Sequence, residues 1–372
     1  MSLVDDMELG FVPPAMSDEE ILEADLVDTD TANFEGERCG LCMDLIIDGG
    51  VLDCCQHWKN ADHVRSVIAS LVKGAYVLER DRGGKREGSQ ALAPPWWETF
   101  GFQLERTLED EADPSIFGAI FKYEPPPSSS NYSADGPHFV VAFRGTLIEE
   151  ESFLDIKLDI QFIRNKLHFS SRCKTAVQAV EHLVAAGNSK VVWLAGHSLG
   201  SAIGMQVGKD MAKKGVYLES LLFNPPYPSV PTDKRTRHLT KSGFRAVGAL
   251  VTQSPEQREQ SASSYAALSP WVPQLFVNKG DFVCSGYIGY FKYRKWMRKY
   301  GLEDFANFAS QYSVRSMLFR SENGAQVEPL HLIPSANLTI NFSNQSECFL
   351  SAHHLSKWWG QDLELESEVY KN

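Results

Sequence analysis

The residues with the clearest chemical potential form the motif Gly-His-Ser-Leu-Gly at residues 196–200. The motif follows the apolar run 190–195 and precedes the run 201–212, whose small and apolar residues are typical of a helix. A Gly-x-Ser-x-Gly between a buried strand and a helix predicts a sharp turn that exposes the serine hydroxyl. Because backbone amides at a helix N-terminus favour a developing negative charge, Ser198 is the candidate nucleophile of an acyl transfer.

A serine nucleophile needs a base to take its proton and a carboxylate to orient that base. In α/β-hydrolases the chain order is serine, acid, histidine, so both partners are sought downstream of Ser198. Asp281 is the predicted acid, because it follows the predicted strand 274–278 and a turn at Gly280. Asp233 is the competing acid, but its basic neighbours favour a solvated loop charge.

Three C-terminal histidines are candidates for the base: His331, His353 and His354. A histidine in the loop or first turn before the last helix is where this fold delivers its base, and residues 351–359 begin loop-like and continue as a predicted helix. Since His353 and His354 point in different directions, at most one of them is catalytic, and His353 is the prediction. His331 is assigned to an ordinary loop before Pro334.

An oxyanion hole needs two backbone N–H groups that face the developing negative charge. The first is predicted at Leu199, the residue that follows the nucleophile. The second should come from a loop after an early strand, and the predicted strand 138–144 is followed by such a loop. Gly145 permits the turn there, and Thr146 can donate from both its amide and its hydroxyl.

Two of these segments together resemble the class 3, or fungal-type, lipases. In that family an Arg-Gly-Thr/Ser loop, matched here by Phe-Arg-Gly-Thr at residues 143–146, forms the oxyanion hole, and Gly-His-Ser-Leu-Gly carries the nucleophile. The resemblance covers about residues 58–365. It implies a Ser198–Asp281–His353 triad that cleaves carboxylic esters of lipids, of the acylglycerol or phospholipid type, through an acyl-enzyme and without a required cofactor.

Further segments are similar to a plant subgroup of lipase-like α/β-hydrolases. These segments are residues 93–97, 223–226 and 287–291, and residues 352–353 together with 358–359. Members of that subgroup have been labelled GDSL esterase/lipase, but this chain contains no Gly-Asp-Ser-Leu motif.

The elements that must position these residues alternate between strand and helix from residue 58 onward. Besides the strand and helix around Ser198, the patterns predict helices at 61–78 and 172–186 and strands at 115–123, 138–144, 218–223 and 274–278. The first two of those strands are predicted to pair as a hairpin. The predicted fold class is α/β, an α/β-hydrolase fold with a mostly parallel central sheet and helices on both faces. Ligands of such sheets bind at the carboxyl ends of the strands.

The charge of the chain is concentrated at its beginning. Residues 1–57 contain 15 acidic residues and one basic residue, whereas the remaining 315 residues contain 33 acidic and 35 basic residues. Such a segment repels nucleic acid, which is therefore excluded as a partner, and the rest of the chain has no basic stripe. Residues 1–36 are acidic and poor in aromatic side chains, and we predict that they form a disordered segment.

Residues 37–57 resemble the opening of a RING-type zinc finger. The ligands would be Cys39, Cys42, Cys55 (or Cys54) and His57, a Cys₃His set suited to Zn²⁺. The second half of a RING is missing, because no further Cys-x-x-Cys follows. Three interpretations compete: a lone zinc site, an acidic arm with unpaired thiols, and an incomplete finger fused to another domain. The abrupt change in charge favours the third interpretation, which makes 37–57 an incomplete RING-like segment and 58–372 the hydrolase domain.

One further segment bears on the partners, and another bears on the organisation of the chain. Residues 147–169 mix apolar and acidic side chains, which fits equally an amphipathic lid that opens at a membrane or lipid-droplet surface and an ordinary surface helix. The polar stretch 252–264 is interpreted as a flexible insertion.

Other function classes stay open at the level of the sequence. A soluble carboxylesterase or an acyltransferase would use the same triad as a lipase. A non-catalytic interaction protein with a zinc-finger remnant is a further alternative, against which the complete set of triad residues argues. The absence of a signal peptide and of an apolar run of about 20 residues predicts a cytoplasmic protein. The oligomeric state is not indicated by any pattern.

Overall fold

The structure is a computed structural model that describes most of the chain after residue 57. The described residues are 58–92, 94–111, 113–124, 136–147, 171–187, 191–227, 254–311, 333–343, 349–359 and 363–372. The predicted acidic segment and the zinc candidates Cys39, Cys42, Cys54, Cys55 and His57 lie outside these ranges, as do residues 148–169 of the lid candidate.

The strands of the described chain form one sheet in which each strand pairs with the next one in the sequence. They are β1 Phe102–Glu109, β2 Ile116–Tyr123, β3 Phe139–Phe143, β4 Val192–His197, β5 Ser220–Phe223, β6 Gln274–Asn278, β7 Ala336–Asn341 and β8 Leu365–Tyr370. Strands β3 to β7 are mutually parallel, while β1, β2 and β8 pair antiparallel at the two sides. The predicted mostly parallel sheet is confirmed, and so is the hairpin pairing of β2 with β3.

Helices connect the parallel strands of this sheet. The α-helices of the described residues are α1 Ala61–Gly83, α2 Ser171–Ala186, α3 Leu199–Lys213, α4 Pro255–Leu268, α5 Gly286–Lys299, α6 Glu303–Ser310 and α7 Phe349–His353. Short 3₁₀ helices span Gly88–Gln90, Trp96–Phe100 and Leu355–Trp358. The longest helix, α1, begins where the Asn60 side chain accepts hydrogen bonds from the amides of Asp62 and His63, a typical N-terminal cap.

Side chains on each strand alternate between two cores, one on each face of the sheet. On β5, Leu221 and Phe223 pack with α1 and the 3₁₀ helix at Leu355–Trp358, whereas Leu222 packs with α2 and α3. These side chains are fully buried, and burial of each stabilises the fold by about 1.5–3 kcal/mol. The two cores account for the predicted helices on both faces, and they fix the sheet as the rigid frame for the loops at its carboxyl edge.

Residues 252–264, interpreted from the sequence as a flexible insertion, are largely helical in the part that the structure describes. Residues 255–268 form α4, and its last turn places Tyr265 and Leu268 in buried positions. The helix is polar over most of its length, so the sequence carries little apolar periodicity. Among the described residues, no helix combines the length and the apolar character that a membrane crossing requires.

Candidate active site

The chain turns sharply at Ser198, between the end of β4 and the start of α3. Ser198 has φ 53° and ψ −122°, a conformation that residues other than glycine rarely adopt and that costs about 1–3 kcal/mol. The turn is so tight that a Cβ on Gly196 would lie 2.5 Å from the Gly200 carbonyl oxygen. The structure therefore contains the strand–turn–helix elbow that the motif predicts, with Ser198 at its apex.

The predicted Ser198, His353 and Asp281 come together at the carboxyl edge of the sheet. The Nε2 atom of His353 lies 3.0 Å from Ser198 Oγ, and its Nδ1 atom lies 2.7 Å from Asp281 Oδ2. Because a carboxylate only accepts hydrogen bonds, Nδ1 carries the ring proton and Nε2 is left to accept from the serine hydroxyl. All three residues are buried, with Asp281 at 0% exposure. This arrangement can remove a proton from Ser198 and stabilise the imidazolium that results.

Each of the three side chains is delivered by a different element. Ser198 follows β4, Asp281 follows β6, and His353 is the last residue of α7, after β7. Parallel strands end at the same edge of a sheet, so residues separated by up to 155 positions meet there. The exposed His354 lies outside this arrangement, since its Nδ1 is 3.5 Å from Ser356 Oγ. The alternatives Asp233 and His331 lie outside the described residues.

Four hydrogen bonds hold the buried Asp281 carboxylate, and they explain how a charge is accommodated there. Besides the His353 ring, the Val283 amide donates to Oδ1 at 2.8 Å, and the Asn224 side-chain amide donates to Oδ2 at 2.7 Å. The Cys284 thiol donates to Oδ2 at 3.0 Å. Burial and the neighbouring Asp281 charge raise the pKa of Cys284 well above its ordinary value, so the sulfur keeps its proton as a donor.

Asn224 is a site residue that the sequence reasoning missed. It follows β5 directly and has φ 47°, which turns its side chain toward Asp281. Its Oδ1 atom accepts a hydrogen bond of 2.5 Å from the indole of Trp358, which is fully buried. The sequence could have indicated Asn224, because a polar residue between a buried strand and two prolines lies at the carboxyl edge of the sheet. Asn224 therefore links the acid to the segment that carries the base.

The two predicted oxyanion donors belong to chain segments that adjoin Ser198. Leu199 is the first residue of α3, so its amide is one of those that a helix cannot satisfy internally. Thr146 is half-buried in the loop that follows β3. That loop is adjacent to the nucleophile, since a Cβ on Gly145 would lie 2.9 Å from Ser198 Cβ. The assignment of Leu199 and Thr146 as the oxyanion donors stays a prediction, and the loop's proximity to Ser198 is consistent with it.

The guanidinium of Arg144 fixes the orientation of this loop. It donates from Nε to the Ile116 carbonyl at 2.6 Å and from an Nη atom to the Gly145 carbonyl at 2.7 Å. The Gly145 carbonyl and the Thr146 N–H belong to one trans peptide and therefore point in opposite directions. By holding the carbonyl, Arg144 sets the direction of the Thr146 N–H.

The charge of Arg144 is balanced by Glu79 on α1. The two side chains are buried and their nearest charged atoms are 3.8 Å apart. Burial acts to raise the pKa of Glu79, but hydrogen bonds from Arg82 and the Ile116 amide outweigh it and hold that pKa below its usual range. Glu79 is therefore an anion at neutral pH and supports the arginine that orients the loop.

Metal binding has no support within the described part of the chain, where no group of three or more histidine, cysteine and carboxylate side chains is placed to hold an ion. The predicted zinc ligands lie outside that part.

Comparison with known proteins places the chain in a family. No protein-family model matches the chain. A GDSL esterase/lipase of Arabidopsis thaliana is 41% identical over 333 residues, which cover 84% of this chain and 93% of that protein. A crystal structure of a lipase from Rhizopus microsporus var. chinensis aligns with 14% identity over 60% of this chain and 69% of its own, with a TM-score of 0.29. The extent of the first match shows that the chain belongs to the lipase-like esterase family of the Arabidopsis protein.

Proposed function

We propose that the protein is a serine hydrolase that cleaves carboxylic esters of lipids, of the acylglycerol or phospholipid type. The observation that carries the proposal is the unbroken chain of hydrogen bonds from Ser198 through His353 to Asp281, at 3.0 and 2.7 Å. The name of the Arabidopsis relative, an esterase/lipase, supports the ester as the bond that is cleaved.

In the first half of the reaction, Ser198 Oγ attacks the carbonyl carbon of the ester while its proton passes to His353 Nε2. The Asp281 carboxylate stabilises the imidazolium that forms and keeps the ring in the required tautomer. The carbonyl oxygen becomes an oxyanion, which the amides of Leu199 and Thr146 stabilise. The C–O bond then breaks, His353 gives its proton to the leaving alcohol, and an acyl-enzyme remains.

In the second half, water takes the place of the alcohol. His353 removes a proton from the water, which attacks the acyl carbon, and a second oxyanion forms at the same amides. Its collapse returns the proton to Ser198 Oγ and releases the carboxylic acid. Every proton in this sequence is moved by side chains of the chain itself, so the proposed reaction needs no cofactor. We also propose that the enzyme meets its substrate at a membrane or lipid-droplet surface.

The test is hydrolysis of p-nitrophenyl esters of increasing acyl length, below and above the concentration at which they aggregate. The variant Ser198→Ala should lose activity and labelling by a fluorophosphonate probe. Ser220→Ala is the matched control, because Ser220 is fully buried and its hydroxyl donates to the Leu218 carbonyl instead of taking part in the site. Rates of hydrolysis that rise with acyl length above the concentration at which the esters aggregate support a lipase.

Two other outcomes have distinct meanings. Activity that depends on Ser198 but is confined to short dissolved esters would replace the lipase by a carboxylesterase. Equal inactivity of the wild type and Ser198→Ala, without probe labelling, would overturn the catalytic proposal. Binding of anionic or neutral vesicles by the full chain, measured by co-sedimentation, tests the surface contact.

A further inference from the structure

The side chain of His197 forms the centre of a hydrogen-bond relay around the nucleophile. Its Nε2 atom lies 2.8 Å from the carbonyl oxygen of His353, and its Nδ1 atom lies 2.8 Å from the Tyr76 hydroxyl. The amide of Gly145 donates to that same hydroxyl at 2.7 Å. The relay therefore joins α1, the loop after β3, the elbow and the backbone of the base.

The direction of each bond in the relay follows from its partners. A carbonyl oxygen only accepts, so His197 Nε2 carries the ring proton. Burial and the nearby His353 hold the pKa of His197 well below its usual range, which keeps the ring neutral and leaves Nδ1 as an acceptor. The Tyr76 hydroxyl must then donate to Nδ1, and its oxygen is available to accept from Gly145. Donors and acceptors match at every step.

The relay reaches both groups on which catalysis would depend. The Gly145 amide precedes the peptide whose N–H is the Thr146 donor, and Arg144 holds the carbonyl of that peptide. Tyr76 and Arg144 thus hold two successive peptide groups of the loop. At its other end the relay holds the backbone of His353, whose ring must keep its 3.0 Å distance to Ser198.

We propose that Tyr76 and His197 are positioning residues, which hold the Thr146 amide and the His353 backbone in a fixed arrangement about Ser198. The inference rests on the proposed ester hydrolysis. Tyr76 lies on α1, more than 120 residues from the elbow in the sequence, and the relay makes α1 part of the catalytic framework. Neither residue touches the reacting atoms, so its effect should appear in the transition state and not in substrate binding.

The experiment compares Tyr76→Phe with Tyr290→Phe. Both substitutions remove one tyrosine hydroxyl. The Tyr290 hydroxyl donates to the Ile333 carbonyl at 2.9 Å. Ile333 precedes β7, so this bond lies at the edge of the sheet opposite to the one that carries Ser198. A fluorophosphonate probe counts the active sites in each preparation, so that kcat is expressed per competent site. Tyr76→Phe should lower kcat by about 10- to 100-fold with little change in KM, because an oxyanion donor is less well placed.

A second readout distinguishes positioning from a loss of folded protein. A trifluoromethyl ketone forms a tetrahedral adduct on the serine, whose oxygen occupies the oxyanion position. Its affinity for Tyr76→Phe should fall by a factor similar to that of kcat, while Tyr290→Phe should match the wild type in both.

Two results would overturn the proposal in different ways. Equal kcat per site and equal inhibitor affinity in Tyr76→Phe and Tyr290→Phe would remove Tyr76 from the catalytic framework and leave the hydrolase function intact. A wild type that hydrolyses no more ester than Ser198→Ala would remove the proposed function, and the positioning role with it.

Discussion

Arg144→Lys should lower both the stability and the turnover of the enzyme. Arg144 is 6% exposed and donates to two backbone carbonyls, those of Ile116 and Gly145. A lysine keeps the charge near Glu79, but it lacks the planar fork that reaches both acceptors. A hydrogen bond from a charged donor contributes about 1.5–3 kcal/mol, so the loss of one should lower the free energy of unfolding by about 2–3 kcal/mol.

The effect on turnover follows from the peptide that Arg144 holds. Removal of one oxyanion donor costs about 10²–10³ in kcat. A Thr146 amide that is present but no longer fixed should cost less than that, and we expect kcat to fall by about 10- to 100-fold with KM nearly unchanged.

Urea unfolding measures the stability, and ester hydrolysis per titrated site measures the turnover. Arg294→Lys is the matched control, since Arg294 is 8% exposed and donates to the carbonyls of Ile333 and Pro334, before β7 and away from the site. It should lose stability without losing kcat. If Arg144→Lys also lost stability alone, the assignment of Arg144 as the residue that orients the Thr146 amide would be refuted.

Three further variants test other parts of the structure. Asp281→Asn should lower kcat by about 10⁴-fold, because the asparagine amide can donate to His353 Nδ1 and favour the tautomer that carries its proton on Nε2. An unchanged number of titrated active sites would exclude misfolding as the cause. Gly200→Ala should abolish folding, since a Cβ there would lie 2.2 Å from the Phe143 carbonyl oxygen. Gly204→Ala should instead give a folded, active enzyme by circular dichroism and assay, because its Cβ would come close only to side chains, at 3.0 Å from Leu222 and 3.6 Å from Phe143. Glu79→Gln should make the free energy of unfolding depend less steeply on pH in the acid range. The pKa of Glu79 is lower in the folded state than its unfolded value of about 4.5. The ionised carboxylate therefore stabilises the folded state at pH values above the unfolded pKa, and this stabilisation is lost as the pH falls through the lower folded pKa. Equal slopes for wild type and variant in unfolding titrations below pH 5 would contradict this assignment.

The parts of the fold that the sequence predicts are those whose side chains are apolar on both faces of the sheet. Strands β4, β5 and β6 are nearly continuous apolar runs because helices cover both sides of them. Strands β1, β7 and β8 were not predicted. β1 and β8 are edge strands with many exposed polar residues. In β7 the polar Thr339 interrupts the apolar pattern, and its hydroxyl is hydrogen-bonded to Ser367 on the neighbouring strand β8.

The candidate site divides in the same way. Ser198, Leu199 and Thr146 belong to short motifs with a fixed local spacing, so the sequence alone is enough to propose them as site residues. Asn224 and Tyr76 act through partners 57 and more than 60 residues away, and only the folded sheet brings them together. Their chemical types carry no local signature, since an asparagine after a strand and a tyrosine on a helix occur in many structural settings.

The sequential order of the strands also bears on how the enzyme is made. Each strand pairs with the one synthesised before it, so the sheet can grow from β1 toward β8 as the chain leaves the ribosome. Ser198 follows β4, whereas the proposed acid Asp281 follows β6 and the proposed base His353 follows β7. A partly synthesised chain would hold a nucleophile without its activating partners. Of the three residues of the proposed triad, His353 is therefore the last to be synthesised, after β7.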